Sequence, residues 1–143
     1  MTEVVATNQT ILVVGGGISG MTAALEAAEC GKEVIIVEKN PSVGGRVAQL
    51  YKYFPKLCFP TCGMEINLRR IKANRNIRVL TMAEVTAVSG DAGNYNVTLN
   101  IAPRYVKPSC TACGECGNAV EAEFDDAHNY GLSKRKGAYL PFR

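Results

Sequence analysis

Three glycines near the N-terminus are spaced so that they could bind the phosphates of a nucleotide. Gly15, Gly17 and Gly20 form a G-x-G-x-x-G pattern that follows an aliphatic run and opens a helical pattern. In that context the first glycine permits a tight turn, the second lets the backbone approach a pyrophosphate, and the third lets helix and strand pack closely. The N–H groups of Ile18 and Ser19, at the positive end of the helix, would face the phosphates. The alternative is a glycine-rich turn without a ligand.

An acid and a second glycine-rich segment suit the rest of a dinucleotide. Glu38 ends the second predicted strand, where it can accept hydrogen bonds from a ribose and disfavours the 2′-phosphate of NADP. Gly44, Gly45 and Arg46 add a backbone nest and a cation beside the same pyrophosphate, which favours FAD, although a surface loop with an incidental arginine is the alternative. No catalytic residue is assigned. The predicted cofactor-binding residues are Gly15, Gly17, Ile18, Ser19, Gly20, Glu38, Lys39, Gly44, Gly45, Arg46 and Val85.

Three closely spaced cysteines could bind a metal. Cys110, Cys113 and Cys116 have the spacing of the first three ligands of a bacterial [4Fe–4S] motif, but Val120 occupies the fourth position. A cluster completed by a remote ligand, a zinc ion held by the same thiolates, and a metal-free module are the alternatives. The cysteines that could supply the remote ligand are Cys58 and Cys62.

The remaining cysteines and the single histidine receive simpler interpretations. Cys58 and Cys62 are separated by three residues rather than by the two of a thioredoxin-type motif, so they are interpreted as a packed or solvent-facing pair of thiols. Cys30 is interpreted as a small buried hydrophobic residue of the first helix. His128 is given no role.

Hydrophobic periodicity predicts an α/β fold with a parallel sheet, and together with the glycine pattern it indicates a Rossmann-like FAD/NAD(P)-binding domain. Residues 10–14 and 34–38 are predicted as buried strands on either side of a helix over residues 18–30, which ends at Gly31. The later elements are an amphipathic helix over 63–73, a strand over 77–80 and a β-hairpin formed by 84–89 and 94–101. Arg69, Arg70 and Lys72 of the second helix are interpreted as a solvated basic face.

The chain is expected to contain three segments. Residues 1–103 form the adenosine-binding half of an FAD-binding domain, residues 104–137 a loop-rich insertion with three cysteines, and residues 138–143 a return to the FAD domain. The change of character after Pro103, with two prolines and clustered cysteines, sets the first boundary.

Composition and charge exclude several classes of protein. The chain has 143 residues, of which 47% are hydrophobic and 20% charged, and this profile is typical of a globular protein rather than a disordered one. A net charge of +3 is too small to indicate nucleic-acid binding. The aliphatic runs are too short to cross a bilayer, and the first residues lack the pattern of a secretory signal, so a cytoplasmic location is expected.

The chain resembles the A subunits of the heterodisulfide reductase family over about residues 10–142. The resemblance rests on the segments ILVVGGGISG, VEKNPSVGGR, AQLYKYFP, GNYNVTLN, PRYV and GLSKRKGAYLPF. Within the family, it is greatest to the branch found in the quinone-interacting membrane-bound oxidoreductase complexes of sulfate-reducing bacteria.

This resemblance implies an FAD-binding electron-transfer subunit that links a membrane quinone pool to adenylylsulfate reductase. Such a subunit would reach the membrane through partner subunits and would have no span of its own. In the family the cysteine module is a ferredoxin-like insertion with a complete cluster motif, from which Val120 departs. Because family members are much longer, the resemblance also implies a truncated domain that is inactive and retains little flavin alone. The alternative function is a non-catalytic metal- or partner-binding module on a Rossmann scaffold.

Overall fold

The fold is built around three parallel strands and two long helices, in a computed structural model that describes residues 10–140. The strands β1, β2 and β3 form one sheet in the order β1-β2-β3, so β2 lies at its centre. The elements are β1 (Ile11–Val14), α1 (Ile18–Glu29), β2 (Val34–Glu38), α2 (Gly45–Ala48), α3 (Thr61–Ala73), β3 (Ile77–Thr81), β4 (Ala83–Asp91), β5 (Asn94–Ile101), α4 (Glu115–Ala119), β6 (Glu123–Asp125) and β7 (Lys134–Lys136). The predicted α/β class with a parallel sheet is therefore confirmed.

The strand–helix–strand unit β1–α1–β2 forms as predicted, with one difference in burial. Val34, Ile36 and Val37 of β2 are buried because strands flank them on both sides and α1 covers one face. The prediction that β1 is also buried was wrong, since Ile11 is 39% and Val14 68% exposed. Within the described residues β1 pairs only with β2, so it forms an edge of the sheet.

The core lies between this sheet and the two long helices. Met21, Ala24, Leu25 and Ala28 recur at helical spacing on α1 and are all buried, as predicted. Gly31, at φ +80°, follows α1 in the left-handed conformation that ends many helices. The prediction that Cys30 is buried was wrong: it is the C-terminal cap of α1, one residue after Glu29, and is exposed.

Helix α3 begins at Thr61, two residues before the predicted start, because Pro60 serves as its N-cap. Met64 and Ile71 face the core, and the predicted pair between Glu65 and Arg69 forms at 2.5 Å. The basic face predicted to be only solvated also contacts α1, where Arg70 binds Glu29 at 2.5 Å.

The predicted hairpin is present as β4 and β5; β5 has the predicted bounds, and β4 is longer than expected at both ends. Strand β4 ends at Asp91 and β5 begins at Asn94, so only Ala92 and Gly93 remain as the turn. Gly93, the second turn residue, has φ +86°, a conformation that glycine adopts readily.

The segment after residue 103 has more regular structure than the predicted loop. It contains α4 and the antiparallel pair β6–β7, in which Glu123 lies opposite Lys136. Residues 138–140 have no helix or strand, and the rest of the expected return, residues 141–143, lies outside the described residues. The boundaries 1–103, 104–137 and 138–143 stay a prediction. None of the helices within residues 10–140 is long and apolar enough to cross a membrane.

Candidate functional site

The glycine-rich turn joins β1 to α1 at the carboxyl edge of the sheet. Gly15 has φ +103°, and its N–H donates to the carbonyl of Val37 on β2 at 2.7 Å. A Cβ atom on Gly20 would lie 1.9 Å from the carbonyl oxygen of Gly15, so only glycine allows the first turn of α1 to lie this close to the end of β1. The first and third glycines therefore have the structural roles that the pattern predicts.

Gly17 differs from Gly20 because the space beside it is open. A Cβ atom on Gly17 would meet nothing within 4 Å, and its φ of −73° is open to any residue. The fold itself therefore does not require glycine here. Gly17 is also the N-cap of α1, and no described side chain caps this helix end, so the N–H groups of Ile18 and Ser19 are left for an anion.

Glu38 is the one buried charged residue among the described residues, with 5% of its surface exposed. Its Oε2 accepts the N–H of Gly16 at 2.6 Å, and its Oε1 accepts both the N–H and the side-chain Nδ2 of Asn40 at 2.8 Å. These bonds hold the carboxylate of Glu38 at the end of β2, on one side of the glycine-rich turn. A carboxylate has about four acceptor sites, of which these bonds occupy three, so Oε2 can still accept one hydrogen bond from a ribose hydroxyl.

The second glycine-rich segment lies directly against the first. The N–H of Gly44 donates to the carbonyl of Gly16 at 2.7 Å, and a Cβ atom on Gly45 would be 3.1 Å from the Cα of Gly17. Gly44 and Gly45 have φ of +113° and +60°, which glycine adopts readily. Arg46 follows Gly45 directly in α2, so its backbone lies next to the glycine-rich turn.

Sequence reasoning missed three residues at this site. Gly16 and Asn40 orient Glu38, and the hydroxyl of Tyr130 accepts a hydrogen bond from Nη1 of Arg46 at 3.0 Å. An asparagine followed by proline beyond a strand signals a turn, so Asn40 could have been noticed. Tyr130 is 84 positions from Arg46 and carried no signal.

Two predicted cofactor residues are less clearly placed. Lys39 is exposed beside Glu38, and Val85 is half-buried in β4 at an irregularity of the strand pairing. Their roles stay predictions.

The cysteine module has no assembled metal site. Cys110, Cys113 and Cys116 are exposed free thiols, and no group of three or more His, Cys, Asp or Glu within residues 10–140 is arranged to hold a metal ion. The side chain of Val120, at the position of the missing ligand, lies beside Gly137. Binding of a metal by these cysteines stays a prediction.

The other two clustered cysteines lie near Tyr53. The backbone N–H of Tyr53 donates to the carbonyl of Cys58 at 3.3 Å, and Cys62 lies in the first turn of α3. The negative charge of the Cys58 thiolate disfavours a phenolate and raises the pKa of Tyr53, with smaller contributions from desolvation, from a side-chain hydrogen bond with Cys58 and from Cys62. These contacts place the phenol of Tyr53 close to Cys58 and Cys62.

Residues 10–49 match the family model described as FAD binding domain. This range contains the glycine-rich turn, Glu38 and Arg46. The solved structure of L-proline dehydrogenase from P. horikoshii is similar with a TM-score of 0.53 and 19% identity, covering 65% of this chain and 20% of that one. That likeness shows the fold alone, a Rossmann-like α/β fold.

Several curated proteins are similar over nearly the whole chain. A CoB–CoM heterodisulfide reductase iron–sulfur A subunit of Methanopyrus kandleri, the second of that name, is 44% identical over 132 residues, which is 92% of this chain and 20% of that protein. The corresponding A subunit of Methanocaldococcus jannaschii is 39% identical over 144 residues, or 98% of this chain and 22% of that protein. A protein of Archaeoglobus profundus, described as similar to the A subunit of heterodisulfide reductase, is 40% identical over 137 residues, which is 94% of this chain and 20% of that protein. The chain thus spans about a fifth of the length of these relatives.

Proposed function

We propose that this chain, about 40% identical to heterodisulfide reductase A subunits over most of its length, is the adenosine-diphosphate-binding region of an FAD-dependent electron-transfer subunit. The observation that carries the proposal is the space beside Gly17. The fold does not need glycine there, because an added Cβ would touch no protein atom within 4 Å. We therefore attribute this glycine to the close approach of a ligand.

The described residues fit the adenosine diphosphate half of FAD. The open N–H groups of Ile18 and Ser19 and the guanidinium of Arg46 are donors for the pyrophosphate. The buried carboxylate of Glu38 is an acceptor for a ribose hydroxyl and disfavours a 2′-phosphate. When bound, the flavin supplies the redox chemistry, since it accepts and releases electrons.

The finer assignment of the complex rests on sequence resemblance. We propose that the partners are other redox subunits, because the relatives are named as subunits of heterodisulfide reductases. A link between a membrane quinone pool and adenylylsulfate reductase in sulfate reduction, at the cytoplasmic side of the membrane, is supported by the quoted sequence segments only. ADP titration together with iron and zinc analysis of the anaerobically purified chain separates the proposed nucleotide site from the alternative, a metal-binding module without flavin.

Replacing Gly17 with alanine tests the proposal. We expect Gly17→Ala to weaken the binding of ADP by roughly tenfold to a hundredfold, because the new methyl group displaces the pyrophosphate from hydrogen bonds that involve a charged group. The free energy of unfolding should fall by less than about 1 kcal/mol, the cost of alanine at an N-cap. Calorimetric titration with ADP and urea denaturation measure the two quantities.

Gly63→Ala is the matched control, since a Cβ there also meets nothing within 4 Å and Gly63 belongs to α3 and not to the glycine-rich turn. It should leave ADP affinity unchanged. Equal ADP binding by the wild type and Gly17→Ala would contradict the proposed site.

A further inference from the structure

We propose that Arg104 and Tyr130, which flank the three clustered cysteines in the chain, position the two ends of the loop between β2 and α2 and thereby set the affinity of the nucleotide site. This inference rests on the proposed function, because the loop of residues 39–44 joins Glu38 to the second glycine-rich segment.

Arg104 fixes the first end of the loop. Its Nη2 donates to the carbonyl oxygen of Pro41 at 3.2 Å and to Oγ1 of Thr81 at 2.5 Å. Thr81 ends β3 and lies opposite Glu38 in the register of the sheet. One guanidinium therefore ties the loop to the carboxyl edge of the sheet, beside the carboxylate proposed to bind the ribose.

The main chain supports the same end. The N–H of Met82 donates to the carbonyl of Asn40 at 3.2 Å, and the N–H of Ala102 donates to the carbonyl of Met82 at 2.8 Å. Asn40 holds Oε1 of Glu38 through two donors. A shift of Pro41 would therefore be passed through Asn40 to the carboxylate of Glu38.

Tyr130 fixes the other end. Its hydroxyl accepts a hydrogen bond from Nη1 of Arg46 at 3.0 Å, and the guanidinium carbon lies 5.2 Å from the centre of the Tyr130 ring. That distance is within the range of a cation–π contact. An arginine has five N–H donors in a rigid plane, so most of them stay available for a phosphate.

These contacts would raise affinity by ordering the site before the ligand arrives. Arginine is a long side chain that loses rotamer freedom when it binds, and that loss weakens binding. A guanidinium already held by Tyr130 loses less of this freedom. Movement of the cysteine module would act on the site through the same two contacts, and binding at the site would act back on the module.

Titration of the chain with ADP tests the inference. We expect Tyr130→Phe and Arg104→Gln each to raise the dissociation constant of ADP roughly two- to tenfold, the range that the loss of one net hydrogen bond corresponds to. Tyr130→Phe removes one hydroxyl from a side chain that is 80% exposed, so the melting curve of this variant should match the wild type. With Arg46→Ala already present, Tyr130→Phe should have no further effect, because its partner is absent.

Two matched controls lie away from the loop. Arg135 forms a similar contact with the ring of Tyr139, at 4.3 Å, and Arg70 binds Glu29 on α1. Tyr139→Phe and Arg70→Gln should leave ADP affinity at the wild-type value.

The outcomes separate the inference from the function on which it rests. Unchanged or tighter ADP binding by Tyr130→Phe, or an equal loss with and without Arg46, would overturn the inference and leave the nucleotide site intact. No binding of ADP by the wild type would overturn the proposed function, and the inference with it. Should Arg104→Gln fail to fold, Tyr130→Phe still decides the question.

Discussion

Replacing Gly20 with alanine is expected to lower the free energy of unfolding by about 3 kcal/mol or more, at the upper end of the usual cost of overpacking. The new methyl carbon would lie 1.9 Å from the carbonyl oxygen of Gly15. Backbone atoms of a tight turn cannot rotate away as a side chain would, so α1 must separate from β1. Urea denaturation followed by circular dichroism measures the change in the midpoint.

Gly63→Ala again serves as the control, because it is the same substitution at an open position in a helix. There alanine should stabilise the protein by about 0.5 to 1 kcal/mol through its higher helix propensity. Similar unfolding midpoints for Gly20→Ala and Gly63→Ala would show that α1 does not approach the end of β1 this closely.

Removing the carboxylate of Glu38 is the second large effect. Glu38→Ala is expected to cost about 3 kcal/mol of stability, because hydrogen bonds to a charged group each contribute about 1.5 to 3 kcal/mol and the buried N–H of Gly16 is left without an acceptor. The variant also loses the two part-buried hydrogen bonds from Asn40. The same variant should lose affinity for ADP, since it lacks the acceptor for the ribose.

Glu33→Ala is the matched control for the loss of one negative charge. Glu33 is exposed, and its stability effect should stay within about 0.5 kcal/mol, as for most surface substitutions. Glu38→Gln should fall between the two, because an amide keeps one acceptor oxygen and adds donors that face other donors. If Glu38→Ala unfolded at the same urea concentration as Glu33→Ala, the hydrogen-bond network around Glu38 would be disproved.

The sequence was most informative where local pattern and fold agree. The period of Met21, Ala24, Leu25 and Ala28 and the glycine-rich turn predicted β1, α1 and β2 within a residue or so. The exposure of Val14 could not be predicted in this way, since an apolar run is the same on a central strand and on an edge strand. Cys30 was misplaced for a related reason: helical spacing changes at a C-cap, where the chain leaves the buried face.

The site was predictable in its backbone and not in its supporting side chains. Glycines and a strand-ending acid have local signatures, so Gly15, Gly20 and Glu38 were found. Contacts between distant segments have none, and the bond between Arg46 and Tyr130 joins residues 84 positions apart. The short helix α2 was also missed, because four residues are too few for a periodic signal.

The central claim is that ADP binds on the turn between β1 and α1. Its most direct test is an amide nuclear magnetic resonance spectrum of the ¹⁵N-labelled chain, recorded as ADP is added. We expect saturable shifts at Gly15, Gly17 and Ser19 together with Arg46, and none of comparable size on the basic face of α3. Saturable shifts confined to Arg69 and Lys72 on that face, or no saturable shift at any amide, would contradict the account.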